Sequence, residues 1–125
     1  MIYRSEMIKP FDVVLVNTNN DKHYYICIYT QELDSNNKLN SDIYGVVVTS
    51  NTKYDYLPYN DYNVPMFINQ KKVYINCDKL VRIKLNGNVS KKNINVPEEV
   101  RKEIRYNLDK FITEIKKQTA EEAIL

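Results

Sequence analysis

The sequence predicts a small β-barrel closed by a single C-terminal amphipathic helix. Three observations carry this: a series of short apolar runs punctuated by turn residues, one sustained 3.6-residue period near the end of the chain, and a length typical of one domain. At 125 residues the chain is long enough to bury a core without disulfides or metal, so it reads as one domain spanning residues 1–125.

Val13 to Val16 is a β-branched run bounded by Pro10 and by the polar stretch Asn17 to Asp21, which reads as a strand entering a loop. Tyr24 to Thr30 is nearly continuous Tyr, Ile and Cys, the pattern of a strand packed on both faces or curling inside a barrel. Leu33 to Asp42, rich in Asn and Ser, is expected to be a polar hairpin tip. Ile43 to Thr49 gives a third strand, in which Gly45 permits a bend or bulge. Asn51 to Asn63 shows no sustained period and is expected to form a loop over the barrel mouth. Val64 to Asn69 and Lys72 to Asn76 follow as strands joined by a turn at Gln70-Lys71. Leu80 to Leu85 ends at Asn86-Gly87, a strong hairpin signal, with a return strand around Val89 to Ile94.

The helix is expected over about residues 97–117. Pro97 suits a first turn, Glu98 and Glu99 favour the positive end of the dipole, and Val100, Ile104, Leu108, Phe111 and Ile115 recur on one face. Lys116 and Lys117 suit its negative end, and the tail from residue 118 extends the helix, frays or docks on a partner.

A net charge of +2 does not name a polyanionic partner, and eleven tyrosines among many Asn and Lys fit a chain encoded at low GC content. Cys27 and Cys77 are far apart, lie in strand-like runs and accompany a single histidine, so they read as small buried hydrophobes in a reducing compartment rather than metal ligands. No stretch has the length of a membrane span, and Met1 to Lys9 is too short and polar for a signal segment, which points to the cytoplasm.

The order of elements resembles the MazF/PemK-type toxins of bacterial toxin–antitoxin modules. Asp12 to Val16 is similar to the family's opening strand, Val46 to Ser50 to its strand ending in Thr or Thr-Ser, and Val73 to Leu80 to its stretch ending in an acidic residue, Gln and Ile. The Pro97 to Ile115 helix stands where the family carries its C-terminal helix. The resemblance implies an SH3-like barrel, a homodimer, a metal-independent endoribonuclease acting on single-stranded RNA, and a cognate antitoxin as partner. It implies no cofactor. The sequence departs from the family at its second strand, where an Arg-Pro pair is met by His23-Tyr24, and the family's later arginine is met by Val81 or Arg82.

Cleavage of this kind needs a base for the 2′-hydroxyl proton, an acid for the leaving oxygen, and donors for the charged phosphorane. His23 is the candidate acid or base, since imidazoles exchange protons near neutrality, and Thr49 and Ser50 are candidate phosphate donors. Lys22, Lys53 and Arg82 would add positive charge, and Tyr54, with Tyr56, Tyr59 and Tyr62, would stack on bases. The structural alternatives are a solvent-exposed His23, a turn capped by Thr49 and Ser50, tyrosines that pack the loop, and Lys71, Lys72, Lys79, Lys84, Lys91 and Lys92 as a solvated face. The alternative function is a non-catalytic binding module on the same fold, docking a protein as the related CcdB toxins do, or a nucleic-acid adaptor of a mobile element.

Overall fold

The computed structural model describes residues 2–4, 7–19, 21–30, 42–50 and 62–124. Within them the chain forms seven strands, all paired antiparallel in one sheet, and one helix. Strands β1 (Val13–Thr18) and β2 (Asp21–Thr30) form a hairpin that runs from Val13 opposite Ile26 to Thr18 opposite Asp21. The polar stretch expected as a loop is therefore mostly strand. Asn19 takes a left-handed φ of 37°, which asparagine tolerates, so the reversal needs very few residues and the polar positions beside it continue the ladder. This puts His23 inside β2, opposite Val16, rather than at a loop junction.

β3 (Asp42–Thr49) pairs with β2, and the register shifts between Cys27 and Tyr29, leaving Ile28 as the extra residue of a bulge. Gly45 lies opposite Cys27 at this bend. A Cβ there would stand 2.8 Å from the Ile26 carbonyl oxygen, so close backbone approach requires the glycine.

β4 (Asn63–Ile68) and β5 (Lys71–Asn76) form a hairpin whose turn lies at Asn69 and Gln70, both with positive φ (49° and 67°). The turn is thus one residue earlier than expected. β5 and β6 (Val81–Lys84) occupy one edge of β3 in succession: Ile75 and Tyr74 pair with Val48 and Thr49, and Val81 to Lys84 pair with Gly45 to Asp42. From Val48 to Gly45 is three steps on β3, whereas Ile75 to Val81 is six on the other chain segment, so Cys77 to Leu80 bow out between the two pairings.

The expected hairpin at Asn86-Gly87 is not a paired one. β7 (Val89–Lys92) returns as expected but pairs with β1, and no β6–β7 pairing exists among the described residues. Asn86-Gly87 instead forms a β-turn, with the Val89 N–H donating to the Asn86 carbonyl (3.2 Å) and the Asn88 N–H to the Asn86 side chain (2.9 Å). The turn carries the chain from the free edge of β3 to that of β1. In a flat sheet β6 and β7 would stand four strand spacings, or about 19 Å, apart. A turn this tight reaches only about 14 Å from Lys84 to Val89, so the sheet curls. It curls without closing, which corrects the expected closed barrel: the hydrogen-bonded ladder remains open between β6 and β7.

The curled sheet is covered on both faces. On one, Val13, Ile26, Val46, Val48, Val64, Met66, Val73 and Ile75 pack with Ile104 and Leu108 of the helix α1 (Glu98–Ile124). On the other, Val14, Cys27, Ile43, Ile83, Leu85 and Val89 pack with Ile8. Adjacent residues such as Val13 and Val14 belong to opposite cores, as strand alternation requires. The Pro97 carbonyl accepts the first helical bond from the Arg101 N–H (3.0 Å), and the backbone helix continues through Ile124. No helix among the described residues is long and apolar enough to cross a membrane. The expected tip Leu33 to Asp42 and loop Asn51 to Asn63 lie outside the described residues except at their ends, where Asp42 opens β3, Ser50 follows it, Tyr62 precedes β4, and Asn63 begins β4.

Candidate functional site

The ends of β2, β3 and the β4–β5 hairpin converge on a cleft of about 520 Å³, lined by Lys22, His23, Tyr24, Val48, Thr49, Ser50, Ile68, Asn69, Lys71 and Val73. Four residues singled out from the sequence, Lys22, His23, Thr49 and Ser50, therefore meet at one place. The register explains why. Tyr24 lies opposite Val48, and continuing that ladder by one residue sets His23 beside Thr49. The β4–β5 turn then brings in Asn69, which the sequence marked only as the end of a strand, and Lys71, marked as a turn residue and part of a general basic surface.

The pleat divides these side chains between the two faces. Tyr24 pairs with Val48, which belongs to the core under the helix, so Lys22, Tyr24 and Val48 share that face. His23 pairs with Val16 and contacts the Tyr25 ring edge-on at 6.5 Å, and both neighbours pack against the opposite core. Thr49 pairs with Tyr74 on that same face. The imidazole and the Thr49 hydroxyl therefore reach the cleft at its rim, while Lys22 and Tyr24 line its wall. Lys22, His23 and Ser50 are exposed and Thr49 is half-buried.

The remaining expected site residues stand elsewhere. Arg82 does not line the cleft: its guanidinium donates to the buried carboxylate of Asp42, opposite Tyr44, roughly 17 Å down β3 from Thr49. Burial of Asp42 demands a counter-charge, and Arg82 supplies it across the strand pair. Lys53, Tyr54, Tyr56 and Tyr59 lie outside the described residues. Tyr62 packs edge-on against Phe111 (5.4 Å), lies under the Lys110 ammonium (5.1 Å) and donates its hydroxyl proton to Glu114, which fixes it onto the helix. The lysines do not share one groove: Lys71 lines the cleft, Lys72 stands 5.3 Å from the Tyr74 ring centre, and Lys91 pairs with Asp12 at 3.2 Å.

A second cleft of about 440 Å³ lies at the start of the helix, among Phe11, Asp12, Lys91, Lys92, Asn95 and Arg101. Two of its cations, Lys91 and Arg101, hold the fold. Arg101 donates to the Val96 carbonyl (2.7 Å), and Arg101 and Arg105 stack on Phe11 at 5.2 and 4.8 Å. These contacts pin Phe11 in a left-handed conformation (φ 71°) that bulky residues rarely adopt.

Cys27 and Cys77 are free and fully buried, as expected. Burial, aided by the charge of Asp12, pushes the Cys27 thiol up to about 12, and burial with Asp78 does the same for Cys77. Both are poor nucleophiles and take no part in the cleft. Comparison with family models finds no match to this chain, and comparison with curated proteins finds none either.

Proposed function

We propose that the chain is a MazF/PemK-like, metal-independent endoribonuclease that binds single-stranded RNA at the rim of the cleft and is held in check by a cognate antitoxin. The convergence of Lys22, His23, Thr49 and Ser50, with Lys71, on one opening carries this reading. Lys22 and Lys71 attract the phosphate backbone. As the 2′-oxygen bonds to phosphorus and the phosphorus–5′-oxygen bond breaks, His23 takes the proton of the 2′-hydroxyl or delivers one to the leaving 5′-oxygen, solvent water exchanging the other, and Thr49 and Ser50 donate hydrogen bonds to the phosphate. The SH3-like topology proposed with it is supported by the curled sheet and by the helix that covers its face. Purified protein should cut an unstructured RNA in EDTA, and His23→Ala should lose most of that activity. Equal cutting by the variant refutes the assignment of His23, and intact RNA at high protein concentration refutes the nuclease.

One observation favours a second reading, a binding module without catalysis. His23 and Lys22 emerge on opposite faces of β2, so the imidazole and the nearest wall cation address a phosphate from different sides. Salt-dependent binding of RNA that stays intact, or stoichiometric capture of one protein with RNA untouched, selects this alternative.

A further inference from the structure

On the face of the sheet that carries His23 and Thr49, a row of residues continues outward to the edge strand. Thr49 lies opposite Tyr74, Tyr74 opposite Pro65, and two residues along the same face Lys72 lies opposite Phe67. Phe67 is 68% exposed, the most open large apolar side chain on the sheet among the described residues, and Lys72, its partner across the strand pair, carries its ammonium 5.3 Å from the Tyr74 ring centre. The charged side chains of β4 and β5 are Lys71 and Lys72, both cationic. Three strand spacings and two residues separate Phe67 from His23, or roughly 16 Å, a reach of a few nucleotides of extended chain.

We infer that Phe67 and Lys72 form a base-stacking platform that holds a nucleobase beside the site of cleavage, the ring taking the base face and the lysine the adjoining phosphate. This rests on the RNA reading above. An exposed flat ring with a cationic residue opposite it on the same face fits a polyanion that carries aromatic bases. The edge is ill suited to pairing with a second copy of the chain, because Pro65 in the middle of β4 has no N–H to offer a neighbouring strand.

The test uses the absence of tryptophan from this chain. Phe67→Trp introduces a lone indole, and the probe is a short single-stranded 2′-O-methyl oligoribonucleotide, which lacks the attacking hydroxyl and stays intact. Its addition should quench the indole, whereas inorganic polyphosphate should bind without quenching. Phe67→Ala should weaken oligonucleotide binding, read by anisotropy of a labelled strand, roughly 5- to 100-fold. Unchanged affinity in Phe67→Ala, with the wild-type chain binding well, overturns the platform and leaves the RNA reading standing. A blue shift that follows protein concentration alone assigns the face to a second copy and also overturns it. No binding by the wild-type chain at low salt removes both the platform and the RNA reading.

Discussion

Gly45 and Gly87 are the only glycines in the chain, and the structure assigns them opposite fates on substitution by alanine. At Gly45 a new Cβ would sit 2.8 Å from the Ile26 carbonyl oxygen and 3.4 Å from both the Ile26 carbonyl carbon and the Ile83 Cδ1 atom. The first contact is with backbone in the centre of the sheet, where no side chain can swing aside, so β2 and β3 must move apart at their bend. Overpacking of this kind costs about 1–3 kcal/mol. Lower entropy of the unfolded chain returns roughly 0.5–1 kcal/mol, leaving a net loss of about 1–2 kcal/mol. With an unfolding entropy near 2.1 cal/mol/K per residue, the melting temperature should fall by about 4–8 °C. Gly87→Ala meets nothing within 4 Å and replaces a glycine without positive φ, so it should leave the melting temperature unchanged or raise it slightly. Thermal and urea unfolding followed by circular dichroism measures both. A Gly45→Ala protein as stable as wild type, or indistinguishable from Gly87→Ala, would refute the close approach of β2 and β3.

Three further outcomes follow from the buried polar groups. Neither cysteine should react with a thiol reagent at pH 8 in the native state, and both should react in denaturant; because the folded-state thiols titrate up near 12, above their ordinary value of 9.0, only the unfolded chain loses those protons over that interval, and stability should fall as pH rises through it. Rapid native modification would contradict their burial. Arg82→Ala withdraws the guanidinium from Asp42, whose side chain is only 3% exposed, and should cost about 1–3 kcal/mol in urea unfolding while leaving RNA affinity unaltered. A loss of RNA affinity at full stability would return Arg82 to the binding surface.

The strands and the helix were legible because alternation and the 3.6-residue period are local patterns, and even Gly45 was marked by its place within a run of valines. What escaped was pairing. Asn86-Gly87 carries a strong local hairpin signal, yet β7 finds β1, because the free edge of β1 is a partner that no short window of sequence contains. The same blindness governed Arg82, whose carboxylate lies 40 residues away on β3. At the candidate site, the order of elements points to Lys22, His23, Thr49 and Ser50, and the β2–β3 register brings them together. Phe67 went unnoticed because Val64-Pro65-Met66-Phe67-Ile68 reads as a nearly unbroken apolar run, in which only the pleat distinguishes Met66 in the core from Phe67 in water.

The bow at Cys77 to Leu80 makes β3 share one margin between two separate partners, and the β4–β5 arm is sewn to the main sheet, among the described residues, solely at Val48–Ile75 and Thr49–Tyr74. So short a seam sets the arm's tilt weakly. Beneath the arm, Val64, Met66, Val73 and Ile75 share one buried cluster with Ile104 and Leu108, whose packing therefore bears on that tilt. Trimming or enlarging those two helical side chains should therefore alter the width of the opening beside His23, whose lining they do not join.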